Sequence, residues 1–126
     1  NRLLIITAVL TRRVGIQLSD QDIFVNVVGG LQVKEPASDL AVAAAIASSA
    51  HDRALPAELA LVGEIGLSGE LRRVPRLQAR LQEAAKLGFS SVIVPSGVDS
   101  DIEVPAGLKL IEIGDLSEAL EFALKT

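Results

Sequence analysis

Residues Gly63–Gly88 read GEIGLSGELRRVPRLQARLQEAAKLG, and this stretch decides the fold class. Leu59–Ile65 and Glu70–Val74 have strand composition, and Gly66-Leu67-Ser68-Gly69 between them predicts a hairpin. Pro75 then starts a helix. Leu77, Leu81, Ala84 and Ala85 share one face of that helix, and Gly88 is placed to cap its end. Two strands followed at once by an amphipathic helix set a mixed α/β pattern.

The flanks extend it. Arg2–Arg13 reads as a helix with a wide apolar face that includes Leu3, Ile6 and Leu10. Val14–Asp22 is a polar turn region containing Gly15. Ile23–Val28, IFVNVV, is rich in β-branched residues and predicts a strand ended by Gly29-Gly30. Pro36 opens a helix running to about Ala50, with Asp39 in its first turn where the helix dipole favours negative charge. Ala41, Ala43, Ala44, Ala45 and Ala47 make this helix small-sided, which predicts close packing in the core. Ser91–Val94 is a short buried strand, Ser96–Pro105 a loop and Leu108–Ile113 a further strand. Asp115-Leu116-Ser117-Glu118 has capping-box spacing and opens a last helix to about Leu124. The expectation is one domain over residues 1–126, an α/β fold with a mixed sheet and packed helices.

Composition narrows the chemistry. A chain of 126 residues is long enough to bury a core without a disulfide or metal staple. It has no cysteine, which removes thiol catalysis and cysteine zinc sites and suits a cytoplasmic setting. One histidine, His51, makes a His-based metal site a poor expectation. The hydrophobic share is 49% with three phenylalanines and no Tyr or Trp, so the core must be aliphatic. No apolar run is long enough to span a bilayer, and no membrane partner is expected. The chain opens on Asn1, so it is expected to be a piece of a longer protein. GxxxxGK[ST] is absent, and Gly63, Gly66 and Gly69 are spaced as hairpin glycines rather than as a phosphate loop.

Lys34–Val42, KEPASDLAV, together with Gly63–Gly88 resembles the proteolytic domain of the Lon family. In that family a serine at the start of a helix pairs with a lysine on a later helix, whose neutral amine takes the serine's proton. The resemblance puts the serine at Ser38 and the lysine at Gln78. The flanks of the serine also depart from the pattern, with Ala37 before it and Asp39 after. No nearby base fills the vacancy. Arg80 stays protonated, Lys86 lies roughly 12 Å further along the helix by its rise, and His51 follows the far end of the serine's helix. The rival reading is a working serine–lysine peptidase with a displaced base.

The runs GLQVKEPASDLAVAAAIASSAHDRALP, GEIGLSGELRRV and RLQEAAKLGF are more specific. They look like the C-terminal Lon-like domain of the RadA family of bacterial DNA repair proteins. That resemblance implies a Lon proteolytic-domain-like fold without proteolysis. It further implies a hexameric ring of identical subunits, DNA as partner, and a role in recombination and branch migration. ATP, magnesium and zinc would be held by a RecA-like ATPase core and a cysteine zinc module upstream, and this domain itself is expected to need no cofactor.

Net charge is −4, which opposes whole-molecule attraction to nucleic acid. Residues 68–86 nevertheless carry five bases against two acids, a local +3, whereas residues 99–126 carry a net −5. Arg72, Arg73, Arg76 and Arg80 are the candidate DNA contacts. Strand alternation sends Arg72 and Arg73 to opposite faces, so one of them is expected to join Arg76 and Arg80 at i, i+4 on the helix. The same residues also fit a solvated face with salt bridges to Glu70 and Glu83. Arg12 and Arg13 form a second, weaker candidate.

Overall fold

A computed structural model describes residues 2–16 and 35–125. The predicted strand Ile23–Val28, its Gly29-Gly30 stop and most of the turn before it lie outside the described residues. The remaining elements are α1 (Arg2–Val9), α2 (Asp39–His51), β1 (Leu59–Leu61), β2 (Glu64–Ile65), β3 (Leu71–Arg72), α3 (Leu77–Lys86), β4 (Ser91–Pro95), β5 (Lys109–Ile113) and α4 (Leu116–Ala123). The mixed α/β class expected from the sequence is the one observed.

β1, β4 and β5 form a parallel sheet with β4 in the middle. Alternation along β4 divides the core in two. Ile93 packs with α1, α2 and α4 on one face, among Ile6, Leu40, Ala43, Ala47 and Leu116. Val92 and Val94 point the other way, onto Leu81 and Ala84 of α3. A central parallel strand covered on both faces is expected to be apolar, and β4 is from Val92 to Pro95, all four of them buried. The small side chains of α2 let it pack closely, with Ala43, Ala44 and Ala47 fully buried. Ala45 alone of the five alanines singled out is on the exposed side.

The single strand expected over Leu59–Ile65 is broken in two. β1 follows β4 as far as Val62, whose N–H donates to the Ile93 carbonyl at 3.0 Å. At Gly63 the chain leaves the sheet and meets the start of α2. The Gly63 N–H donates to the Ala37 carbonyl (3.0 Å), and the Leu40 N–H donates back to the Gly63 carbonyl (3.1 Å). A Cβ on Gly63 would meet Pro95 at 3.4 Å and Leu40 at 3.7 Å, ordinary contact distances, so the two backbone hydrogen bonds rather than the missing side chain define this junction. β2 then pairs antiparallel with β3, Glu64 opposite Arg72 and Ile65 opposite Leu71, as the hairpin reading required.

Other local expectations are met with small changes. α1 ends in a wide turn, Leu10–Val14, where the Gly15 N–H donates to the Leu10 carbonyl at 2.9 Å. Pro36–Ser38 forms one 3-10 turn before α2. The Asp115 side chain accepts from the Glu118 N–H at 2.8 Å, giving α4 its cap. α3 starts at Leu77, two residues after Pro75, because Arg76 takes a left-handed conformation with φ 60°.

Candidate functional site

Ser38 occupies the position before α2, with φ −84° and ψ −7°, and its side chain makes no capping bond. Its N–H donates to the Glu35 carbonyl at 2.9 Å. The adjacent Asp39 is the buried charge among the described residues, 1% exposed. Arg2 forks onto it: Nε donates to Oδ1 at 3.2 Å, and the Arg2 terminal NH2 group donates to Oδ2. Oδ2 also accepts the Ile65 N–H at 3.0 Å, and Arg2 reaches Glu64 at 3.7 Å. The hydrogen bonds that Arg2 donates to Asp39 hold its guanidinium protonated more firmly than usual, with the charges of Asp39 and Glu64 adding to the effect. Asp39 was read from sequence only as favourable to the helix dipole. Nothing in the sequence spacing links it to Arg2, 37 residues away. The carboxylate that follows Ser38 in the chain is therefore tied by three donors, two from Arg2 and one from Ile65.

Gln78 lies on the first turn of α3 and faces the 96–105 loop. Its Nε2 donates to the Glu103 carbonyl at 2.7 Å, and its Oε1 accepts the Glu103 N–H at 2.8 Å. The amide is used as a backbone mimic, donor and acceptor on one residue. A lysine has no acceptor and cannot make this clamp. At its other end the loop is held by Glu112, whose Oε1 accepts from the Gly97 and Val98 N–H groups at 3.1 Å each.

Between that loop and the start of α3 is a cleft of about 310 Å³. Arg73, Arg76, Asp99 and Asp101 are all among its lining residues. Arg73 donates to the Gly97 carbonyl at 3.3 Å and lies 3.6 Å from Asp99. Arg76 is exposed and has no ion pair with a described residue. Its left-handed backbone is uncommon for a residue with a side chain, and such strain concentrates at ligand clamps.

The patch expected from Arg76, Arg80 and one of Arg72 and Arg73 is thus divided. Arg72 turns back along the hairpin onto Glu70 at 3.1 Å. Glu70 in turn accepts from the Ser68 N–H, and its carboxyl is held below its ordinary range by its own backbone N–H and by Arg72. Arg80 donates to the Pro75 carbonyl at 2.9 Å and approaches Glu35 at 3.5 Å. Arg76 is not on the helix, so the expected i, i+4 pair becomes a side chain before the helix and one turned away from it. Arg73 is the member of the adjacent pair that joins Arg76. The anionic partners are Glu70, Asp99 and Glu35 rather than Glu83. Exposed pairs of this kind contribute about 0–1 kcal/mol each and exchange readily for other anions.

His51 is exposed at the last residue of α2. Among the described residues there is no group of three or more His, Asp or Glu side chains able to hold a metal ion. Nor is any described helix long and apolar enough to cross a membrane.

Comparison with known proteins gives two consistent findings. The chain is 53% identical over 121 residues to the DNA repair protein RadA of Pseudomonas aeruginosa, 96% of this chain and 26% of that protein. It is 49% identical over 120 residues to the DNA repair protein RadA of Escherichia coli K12, covering 95% of this chain and 26% of that protein. The protein of the same name from Synechocystis is 49% identical over 124 residues, 98% of this chain and 24% of that protein. The chain thus spans about a quarter of the length of these curated relatives. The second finding is a match of residues 5–97 to the family described as subunit ChlI of Mg-chelatase. That match takes in α1, α2, the hairpin, α3 and β4, and with it the segments carrying Ser38, Gln78 and the arginines, so this chain belongs to the ChlI family.

Proposed function

We propose that the chain is a non-proteolytic, Lon-like module of a RadA-type DNA repair and recombination ATPase. In this reading it supports a ring of identical subunits, a hexamer, in the cytoplasm and contributes DNA contacts during branch migration. The observation that carries it is the use made of Gln78. At the position where the Lon resemblance expects a lysine, both amide atoms are committed to the Glu103 backbone. The carboxylate beside Ser38 is equally committed, to Arg2 and Ile65. Both commitments support a reading in which neither Gln78 nor Asp39 acts as the base for serine attack.

The relatives' name supports DNA repair as the setting, since the match runs over 95–98% of this chain. ATP, magnesium and zinc belong, in this reading, to the rest of the parent protein; this chain carries no phosphate-loop motif and no cysteine. Arg72, Arg73, Arg76 and Arg80 are the proposed DNA contacts. A single copy with a few phosphate contacts would bind weakly at physiological salt, whereas a ring repeats the patch and gains through effective concentration.

The test is a DNA titration of the full-length parent protein across salt concentrations. Each lost phosphate contact lowers the slope of log K against log salt by about 1. Replacing the four arginines with Glu should flatten that slope while sedimentation stays unchanged. A slope equal to wild type removes these residues from the DNA-contact list.

A further inference from the structure

The four arginines are not equivalent, and their difference points to a more specific site. Arg73 and Arg76 share a concave cleft with two carboxylates, whereas Arg72 and Arg80 are turned onto Glu70 and Glu35 outside it. We propose that this cleft, between the start of α3 and the 96–105 loop, takes one unstacked nucleotide of single-stranded DNA. Arg73 and Arg76 hold its phosphate, and Asp99 and Asp101 accept from the amino group of its base. The proposal rests on the DNA-contact reading above and narrows it.

Shape comes first. A volume of about 310 Å³ lies at the small end of ligand clefts, which run from about 300 to 1,000 Å³. A duplex backbone is a convex ridge and does not enter such a hollow; a splayed base does. Leu77, Val98 and Ile102 give the cleft aliphatic walls against which the faces of a base can lie.

Charge decides between a run of phosphates and a nucleotide. A lining of arginines alone would suit any polyanion. Here Asp99 and Asp101 stand in the same cleft and would repel a second phosphate. A nucleotide presents both features required, an anionic phosphate and a neutral base edge with N–H donors. Cytosine and adenine offer an amino group to a carboxylate, whereas thymine offers a carbonyl oxygen at the corresponding position. The cleft should therefore favour amino-bearing bases over thymine.

Rigidity supports the same assignment. The loop wall is fixed at both ends, by Glu112 on Gly97 and Val98 and by Gln78 on Glu103. Inside the loop the Ile102 N–H closes onto the Asp99 carbonyl at 3.1 Å. A preformed wall avoids an ordering cost on binding. Arg76 is presented to the cleft from a left-handed backbone that glycine would adopt without strain.

The test uses the full-length parent protein and fluorescently labelled 20-nucleotide oligomers of dC and of dT, read by anisotropy. Wild type should bind dC about fivefold more tightly than dT or better, the low end of one base-edge contact. Asp99→Ala with Asp101→Ala should bring that ratio to about one. Arg76→Gly should weaken binding of both oligomers while Tm stays unchanged or rises, because it removes the contact and the strain together. Arg72→Ala, outside the cleft, should leave the dC/dT ratio at its wild-type value. Equal binding of dC and dT by wild type would overturn the cleft assignment, as would a dC/dT ratio that Asp99→Ala with Asp101→Ala leaves unchanged. Either result, with the quadruple Glu variant still flattening the salt slope, leaves the broader DNA-contact reading standing. An unflattened slope defeats both.

Discussion

Ser38 and Gln78, the two positions that the Lon resemblance assigns to catalysis, have opposite surroundings. Around Ser38 the structure is closed. Asp39 is buried and saturated, and α2 is stitched to Gly63 by two backbone hydrogen bonds. Around Gln78 it is open, with a strained arginine, loosely paired charges and a concave surface. A buried charge held by three donors serves the fold; removing any partner is costly and little is gained by moving it. Exposed charges in weak pairs cost little to re-partner, which is what a binding surface needs. The framework is kept at the first site and chemistry is available at the second.

The sharpest way to break this contrast is at Asp39. Asp39→Ala leaves the Ile65 N–H without its acceptor and the Arg2 guanidinium without its bidentate partner. The expected loss is about 3 kcal/mol of unfolding free energy, the scale of breaking a buried pair, measured by urea denaturation. A loss no larger than that of an exposed pair would show that the Ser38 region is less rigid than described.

A smaller effect is expected at Gln78. Gln78→Lys removes the acceptor for the Glu103 N–H and should cost about 0.5–1 kcal/mol, the net worth of one exposed hydrogen bond. It should also fail to create serine-dependent cleavage of casein, because the side chain that returns faces the 96–105 loop. Cleavage abolished by adding Ser38→Ala would mean that a single substitution restores the peptidase, and the separation of the two regions would fall.

Much of this was legible in the sequence. The hairpin at Gly66–Gly69, the apolar face of α3, the Gly88 end and the Asp115 cap each follow from short-range rules, and each is present. The break in the strand at Gly63 was not legible, because it depends on backbone hydrogen bonds with Ala37 and Leu40 from elsewhere in the chain. For the same reason the pairing of Arg2 with Asp39 and of Gln78 with Glu103 had no local signal. At Arg76 the rule that Pro opens a helix gave a start two residues early, and so placed this arginine on a helix face it does not share. Charge counting found the basic segment but not its division, since the acids that partition it, Glu35 and Asp99, lie outside the segment.

The most direct test sets the two regions side by side in the full-length protein. The salt dependence of DNA binding is measured for Ser38→Ala and for Arg73→Glu with Arg76→Glu. The account predicts that Ser38→Ala keeps the wild-type slope, and that the double variant lowers it by about 2, one for each lost phosphate contact. A lowered slope for Ser38→Ala with an unchanged slope for the double variant would contradict it.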